Sequence, residues 1–201
     1  MEATLDSARE FSGELSSGEK LLWSGRPRQG FFFRSSDIFV IPFSLLWGGF
    51  AFFWEFMVLS HMSGHGAPRG LEIIFPLFGL PFVLIGVYII FGRFFVDMKQ
   101  RQNTIYGVTN QRILIRTGLF TITRKSLNLQ TLSDLTLDEK SDGYGIISFG
   151  PAHPYYSRFA FGDGSSWPYA ARYAPPSFDM VPDARRVYEI IRQAQNALAP
   201  A

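Results

Sequence analysis

Two long apolar runs interrupt a chain that otherwise alternates between polar and apolar positions. The first, Ile38 to Leu59, has Glu55 as its only charge. The second is uncharged from Ile73 to Phe91, and after Gly92 and Arg93 it resumes through Phe94, Phe95 and Val96. A helix needs about 20 apolar residues to cross a bilayer core, and neither run shows a polar face at helical spacing. The pattern predicts transmembrane helices over residues 36–59 and 72–97, joined by a short external loop over 60–71. The first run starts too far from Met1 for a cleaved signal peptide and has no small-residue pattern behind it. Pro42, Pro76 and Pro81 kink the spans, which membrane helices tolerate where neighbours satisfy the freed carbonyls. Gly48, Gly49, Gly79 and Gly86 permit close backbone approach, either between the two spans or against another subunit.

Elsewhere the pattern shortens to strand-length alternation. Thr104–Val108, Arg112–Arg116, Leu119–Lys125, Leu127–Leu129 with Leu135–Asp138, and Ile146–Phe149 read as strands of an antiparallel meander. Thr109-Asn110-Gln111 reads as a tight turn, since Asn tolerates the left-handed conformation and caps its own turn. Ahead of the spans, Leu21-Leu22-Trp23 has strand character and nothing to bury against within residues 1–35. It is therefore expected to pair with the sheet formed after the second span. The stretch 151–176 is rich in Pro, Gly, Ser and aromatic residues and reads as an irregular insertion. Over 183–198, Val187, Ile190, Ile191, Ala194 and Leu198 form one apolar stripe of a helix that Pro182-Asp183 starts. The fold class is that of an α+β membrane protein: an antiparallel sheet in a cytoplasmic body over 98–201, a C-terminal helix, and a two-helix transmembrane hairpin.

Charge sets the orientation. Arg26, Arg28 and Arg34 precede the first span, Arg93, Lys99 and Arg101 follow the uncharged part of the second, which ends at Phe91, and the connecting loop holds Arg69 alone among Lys and Arg. By the positive-inside rule both termini are cytoplasmic. Of the 201 residues 21 are Phe, which a lipid-facing surface accommodates better than a soluble core does. The absence of Cys excludes thiol catalysis, disulfides and Cys-ligated metals. A net charge of +2 gives no reason to expect a nucleic-acid partner.

Candidate chemistry is sparse. His61 and His65 are four apart, a spacing that holds a metal on a helix, but they lie in a Ser-Gly-rich loop and read as ordinary polar residues. His153 has no catalytic setting. Glu55 lies about one turn from the outer end of its span, and is expected to reach the interface and pair with Arg69 or a histidine; the alternatives are a contact between helices or subunits and, last, a proton path. Arg93, at the opposite face, is expected to snorkel. No phosphate loop, nucleophile elbow or H-E-x-x-H occurs, so no enzyme activity, catalytic residue, metal or cofactor is expected. Between Met98 and Ser133 lie Lys99, Arg101, Arg112, Arg116, Arg124 and Lys125 and no acid. These six either set topology and solvate a sheet face, or contact anionic lipid, at about 1 kcal/mol each near the surface. Lys99 and Arg101 are nearest the span. Arg112 and Arg116 share one side of their strand with Leu114 between them.

GEKLLWSGRP before the hairpin, YGVTNQRILIRTG after it, then SLNLQTLSDLTL, GIISFG and a final helix make the chain resemble bacterial PH-like domain proteins of the membrane-flanked type. The resemblance runs from Gly18 to about Gln195 and rests most on Y-x-x-T-N-x-R-x-x-x-x-x-G, Tyr106 to Gly118, with W-x-G-x-P, Trp23 to Pro27, in support. It implies a PH-like bent antiparallel sheet or barrel capped by the C-terminal helix, with the spans inserted into one domain. It implies no phosphoinositide site, because the first hairpin loop lacks the Lys/Arg cluster that eukaryotic PH domains use. The functional expectation is a non-enzymatic module at the bacterial inner membrane, multi-pass, serving as a protein interaction or self-association platform. Its partners would be the lipid bilayer and either another protein or a homo-oligomer. The alternative is an accessory or assembly subunit of a larger inner-membrane complex.

Overall fold

The computed structural model describes residues 10–11, 13–30, 37–63, 73–119, 121–150 and 175–198. In chain order its main elements are β1 (Leu21–Gly25), α1 (Asp37–Ser63), α2 (Ile74–Val87), α3 (Arg93–Gln102), β2 (Ile105–Thr109), β3 (Arg112–Gly118), β4 (Ile122–Asn128), β5 (Leu135–Glu139), β6 (Gly145–Phe149), β7 (Ser177–Val181) and α4 (Ala184–Leu198). The irregular insertion at 151–176 falls almost wholly outside the described residues, as do His153, His65, Arg69 and Arg34. The chain divides into two units, one built from the strands and α4, the other from the apolar helices.

In the first unit the strands form two antiparallel sheets, β1-β2-β3-β4 and β5-β6-β7. β1 pairs with β2 through Trp23↔Val108 and Gly25↔Tyr106, so a strand from before the apolar helices completes the sheet made after them. The period of two sends Tyr106, Val108, Ile113 and Ile115 into a core shared with Ile147, Phe149, Phe178 and Val181. Val187, Ile191 and Ala194 of α4 close it, one face of the expected stripe. Phe178 is the centre: its ring stacks on Tyr106 at 4.5 Å, meets Phe149 edge-on at 4.9 Å and lies 5.8 Å from Trp23. The Asp179 N–H donates to the Tyr106 hydroxyl at 3.0 Å, tying β7 to β2.

Three local readings are corrected. The third meander strand is Ile122–Asn128, not Leu119–Lys125. β3 continues to Gly118, where a Cβ would stand 2.5 Å from the Thr121 carbonyl, so glycine permits the turn there. Leu127 thus belongs to β4, and Leu129–Thr131 is a 3-10 turn whose start the Asn128 side chain caps by accepting from the Gln130 N–H. β7 has no counterpart in the sequence reading. Its alternation is broken at Met180, where φ is +51°, between the core residues Phe178 and Val181. Asn110 is not left-handed: among the described residues only Met180 and Asp183 are non-glycines with positive φ. The Thr109 hydroxyl closes that turn, accepting from the N–H groups of Gln111 and Arg112.

In the second unit α1 runs 27 residues, and the second helix passes from Ile74 through a π-helical turn, Tyr88–Gly92, before α3. Both are long and apolar enough to cross a membrane. Each outlasts its predicted end, because helical hydrogen bonding continues past the apolar run. The helices meet at small residues: a Cβ on Gly86 would lie 3.1 Å from the Gly48 Cα. Arg93 does more than snorkel. Its guanidinium pairs at 2.8 Å with Asp37 at the start of α1, both side chains almost fully buried. Glu55 packs its carboxylate against Gly79 of α2 rather than reaching outward, a contact between helices. Gly86→Leu is expected to force the helices apart and cost about 1–3 kcal/mol, read as a lower melting temperature in detergent. Gly49, with open space around its would-be Cβ, should accept Leu without change.

Candidate interaction face

The alternation that sends Ile113 and Ile115 into the core turns Arg112, Leu114 and Arg116 to the opposite face of the β1–β4 sheet. Ile105, Gly107 and Thr109 of β2 lie on that same face. Residues 10–11 and 13–19 cross it, and Glu10, Phe11, Glu14 and Glu19 make the contacts to it. Phe11 is 1% exposed and packs on Ile105 and Leu114, with Leu15 beside it. Gly107 makes the seat, since a Cβ there would come to 3.0 Å from the Phe11 ring. A glycine inside a strand often marks such a close approach.

Three acids flank the ring. Glu10 accepts from Arg26 at 2.7 Å and from Arg116 at 3.3 Å. The Glu14 carboxylate accepts from Arg124 at 2.8 Å, and its backbone carbonyl accepts from Arg112 at 2.9 Å. Glu19 is the buried member. Its two oxygens accept from Nε and Nη2 of Arg112, each at 2.9 Å, from the Thr109 hydroxyl at 2.7 Å and from the Ser16 N–H at 2.8 Å. Burial opposes the charge on Glu19, but these hydrogen bonds, led by that of Arg112, outweigh it and hold the carboxyl at about 2. The same bond to Glu19 raises Arg112 above its ordinary value. Alongside, the Lys20 N–H donates to Asn110 Oδ1 at 2.8 Å and the Asn110 N–H donates to the Lys20 carbonyl at 3.1 Å. Thr109, Asn110 and Arg112 of the T-N-x-R segment therefore clasp Glu19 and Lys20 of the G-E-K segment, joining the two parts of the domain on either side of the hairpin.

The six basic residues have different fates. Arg101 is buried, donates to the carbonyls of Arg28 and Gly30 and pairs with Asp97, so it braces the chain that follows β1. Arg112, Arg116 and Arg124 are matched by Glu19, Glu10 and Glu14. Lys99 is exposed and Lys125 half-buried, and neither forms an ion pair among the described residues. The stretch free of acids in sequence is thus not free of them in space. Glu10, Phe11 and Glu14 belong to no motif in the sequence, and the roles of Glu19 and Gly107 within the quoted segments show only in the sheet; the acids before β1 and the glycine within a strand are the available signals. Among the described residues no group of three His, Asp or Glu is placed to hold a metal. His61 is exposed on α1. What this arrangement can do is hold a peptide segment through one ring and matched charges.

Two antiparallel sheets packed around a shared core and closed by a C-terminal helix, with apolar helices between β1 and β2, define an α+β protein of PH-like build. The family model described as bacterial PH domain matches residues 66–195, and the chain belongs to that family. Its members are in general non-catalytic modules. No curated protein and no solved structure matches the chain.

Proposed function

We propose that this chain is a non-enzymatic PH-like module anchored in the bacterial inner membrane, with both termini cytoplasmic, and that it serves as a protein interaction or self-association platform. One observation carries the reading: β1 and β2, the strands on either side of the apolar hairpin, pair in one sheet. A domain completed by both flanks of a hairpin must have those flanks on one side of the membrane. The Lys/Arg imbalance puts that side in the cytoplasm. The broad exposed aromatic surface of α1 and α2 suits lipid. Of the six basic residues, Lys99 and Lys125 are the ones we assign to anionic lipid, because the arginines are engaged within the domain.

A reporter fused at Ala201 should be active in its cytoplasmic form and silent in its external one; the reverse would overturn the topology. Purification in mild detergent separates the roles. A discrete homo-oligomer supports self-association, whereas co-migration with an enzyme complex would replace it with the accessory-subunit reading.

A further inference from the structure

Between α1 and α2 lies an apolar cavity of about 260 Å³. Trp47, Phe50 and Trp54 line it from α1, at the i, i+3, i+7 spacing of one helix face, and Phe78, Gly79 and Phe82 line it from α2. Five aromatic rings thus form most of its wall. Trp47 lies 6.2 Å from Phe82, which lies 5.4 Å from Phe78. Trp54, Phe78 and Gly79 stand at the end nearer the connecting loop, and Trp47 and Phe82 lie deeper in the hairpin.

A carboxylate stands at the loop end of this cavity. Glu55 Oε2 occupies the place where a Cβ on Gly79 would be, and Trp54 Cδ1 is 3.5 Å from that same place. Glycine at 79 therefore leaves room for the acid beside two residues of the cavity wall. Glu55 Oε2 is buried and accepts no hydrogen bond among the described residues. Glu55 is the only charge between Ile38 and Leu59, and Ile73 to Phe91 contains none. An acid without a partner inside a span is costly, and such a residue marks a functional site by default. Packing of the two helices alone gives no reason for it.

We propose that this cavity binds a small organic cation, a quaternary ammonium carried on an apolar body, with Glu55 as its counter-ion. Aromatic faces attract a cation through the ring quadrupole, and cages of such rings recognise quaternary ammonium groups. The carboxylate supplies the opposite charge. A quaternary nitrogen carries no N–H that needs an acceptor, which suits a wall built of rings. Trp47 and Trp54 are about 10 Å apart along the helix, so the ligand lies lengthwise, its ammonium beside Glu55 and its hydrocarbon toward Trp47. The occupant is a free cation rather than a lipid headgroup, because the cavity lies within the apolar runs and headgroups lie outside the hydrocarbon core.

Benzyltrimethylammonium is the probe, and benzylsulfonate is an anion of similar size. Each would be titrated into the full-length protein in a nonionic detergent, with binding read from tryptophan fluorescence. The ammonium should saturate a single site and the sulfonate none over the same range. Glu55→Gln, which keeps the size and shape of the side chain, should raise the Kd for the ammonium about tenfold or more. Phe78→Leu should raise it several-fold, since leucine is apolar but has no ring face. Equal binding of the two ions, no saturation by the ammonium, or an unchanged Kd in either variant would overturn the proposal. The comparison of the two ions uses the unaltered protein, so it decides the question even where a variant fails to fold. In phosphatidylcholine nanodiscs the ammonium should bind as it does in detergent. Loss of binding there would mean that a choline headgroup fills the cavity, and would overturn the assignment to a free cation.

Discussion

Arg112→Ala is expected to destabilise the PH-like unit by about 3 kcal/mol, measured by denaturation in mild detergent. The substitution leaves the Glu19 carboxylate buried without its counter-charge, and removing one partner of a buried pair costs about 3–5 kcal/mol. The lower end applies because Arg112 is itself 29% exposed. Arg112→Lys should fall between, since an ammonium keeps the charge but cannot make the two-pronged contact. The same clasp gives an acid signature. Glu19 is held at about 2 in the folded state against an ordinary 4.5. A carboxyl depressed by folding adds stability that is complete above its unfolded value and is lost as pH falls through its folded value. The loss should therefore develop between pH 4.5 and about 2, and amount to about 3 kcal/mol. Glu19→Gln should lose correspondingly less over that window; identical acid profiles for the two proteins would refute the assignment.

Phe178→Ala is expected to cost about 3–5 kcal/mol, the range for emptying a core of a large ring. Phe178 is fully buried and touches Tyr106 from one sheet and Phe149 from the other, so the cavity would lie between layers that cannot easily collapse. Trp23→Ala should cost less, because Trp23 is only half-buried at the rim of the same cluster. Equal losses for the two, by chemical denaturation of the full chain, would place the centre of the core elsewhere.

The difference between these residues shows what the sequence could disclose. Trp23 stood out because an apolar run in a short polar segment needs a surface to cover. Phe178 did not, because it follows a long irregular stretch and its strand carries a break at Met180. Likewise the Tyr106–Gly118 motif was visible as a pattern, but the role of each member was not. Tyr106 proves to accept a bond from β7, Gly107 to seat a ring, and Thr109 with Arg112 to hold Glu19. The ion pairing of the basic stretch was hidden for the same reason: Arg112 and Glu19 are 93 residues apart, and no local window contains both.

By itself the sequence determined the elements that depend on neighbours along the chain. Two runs long enough to cross a bilayer, alternating strands joined by turns, and an amphipathic closing helix all follow from periods of a few residues. Only the tertiary structure decided which partners those elements bring together. It set β1 beside β2, put Phe11 over Gly107, and matched the arginines of β3 and β4 with acids from before β1. These contacts depend on distance in space between residues remote in sequence, and that distance becomes defined only when the sheet closes around its core.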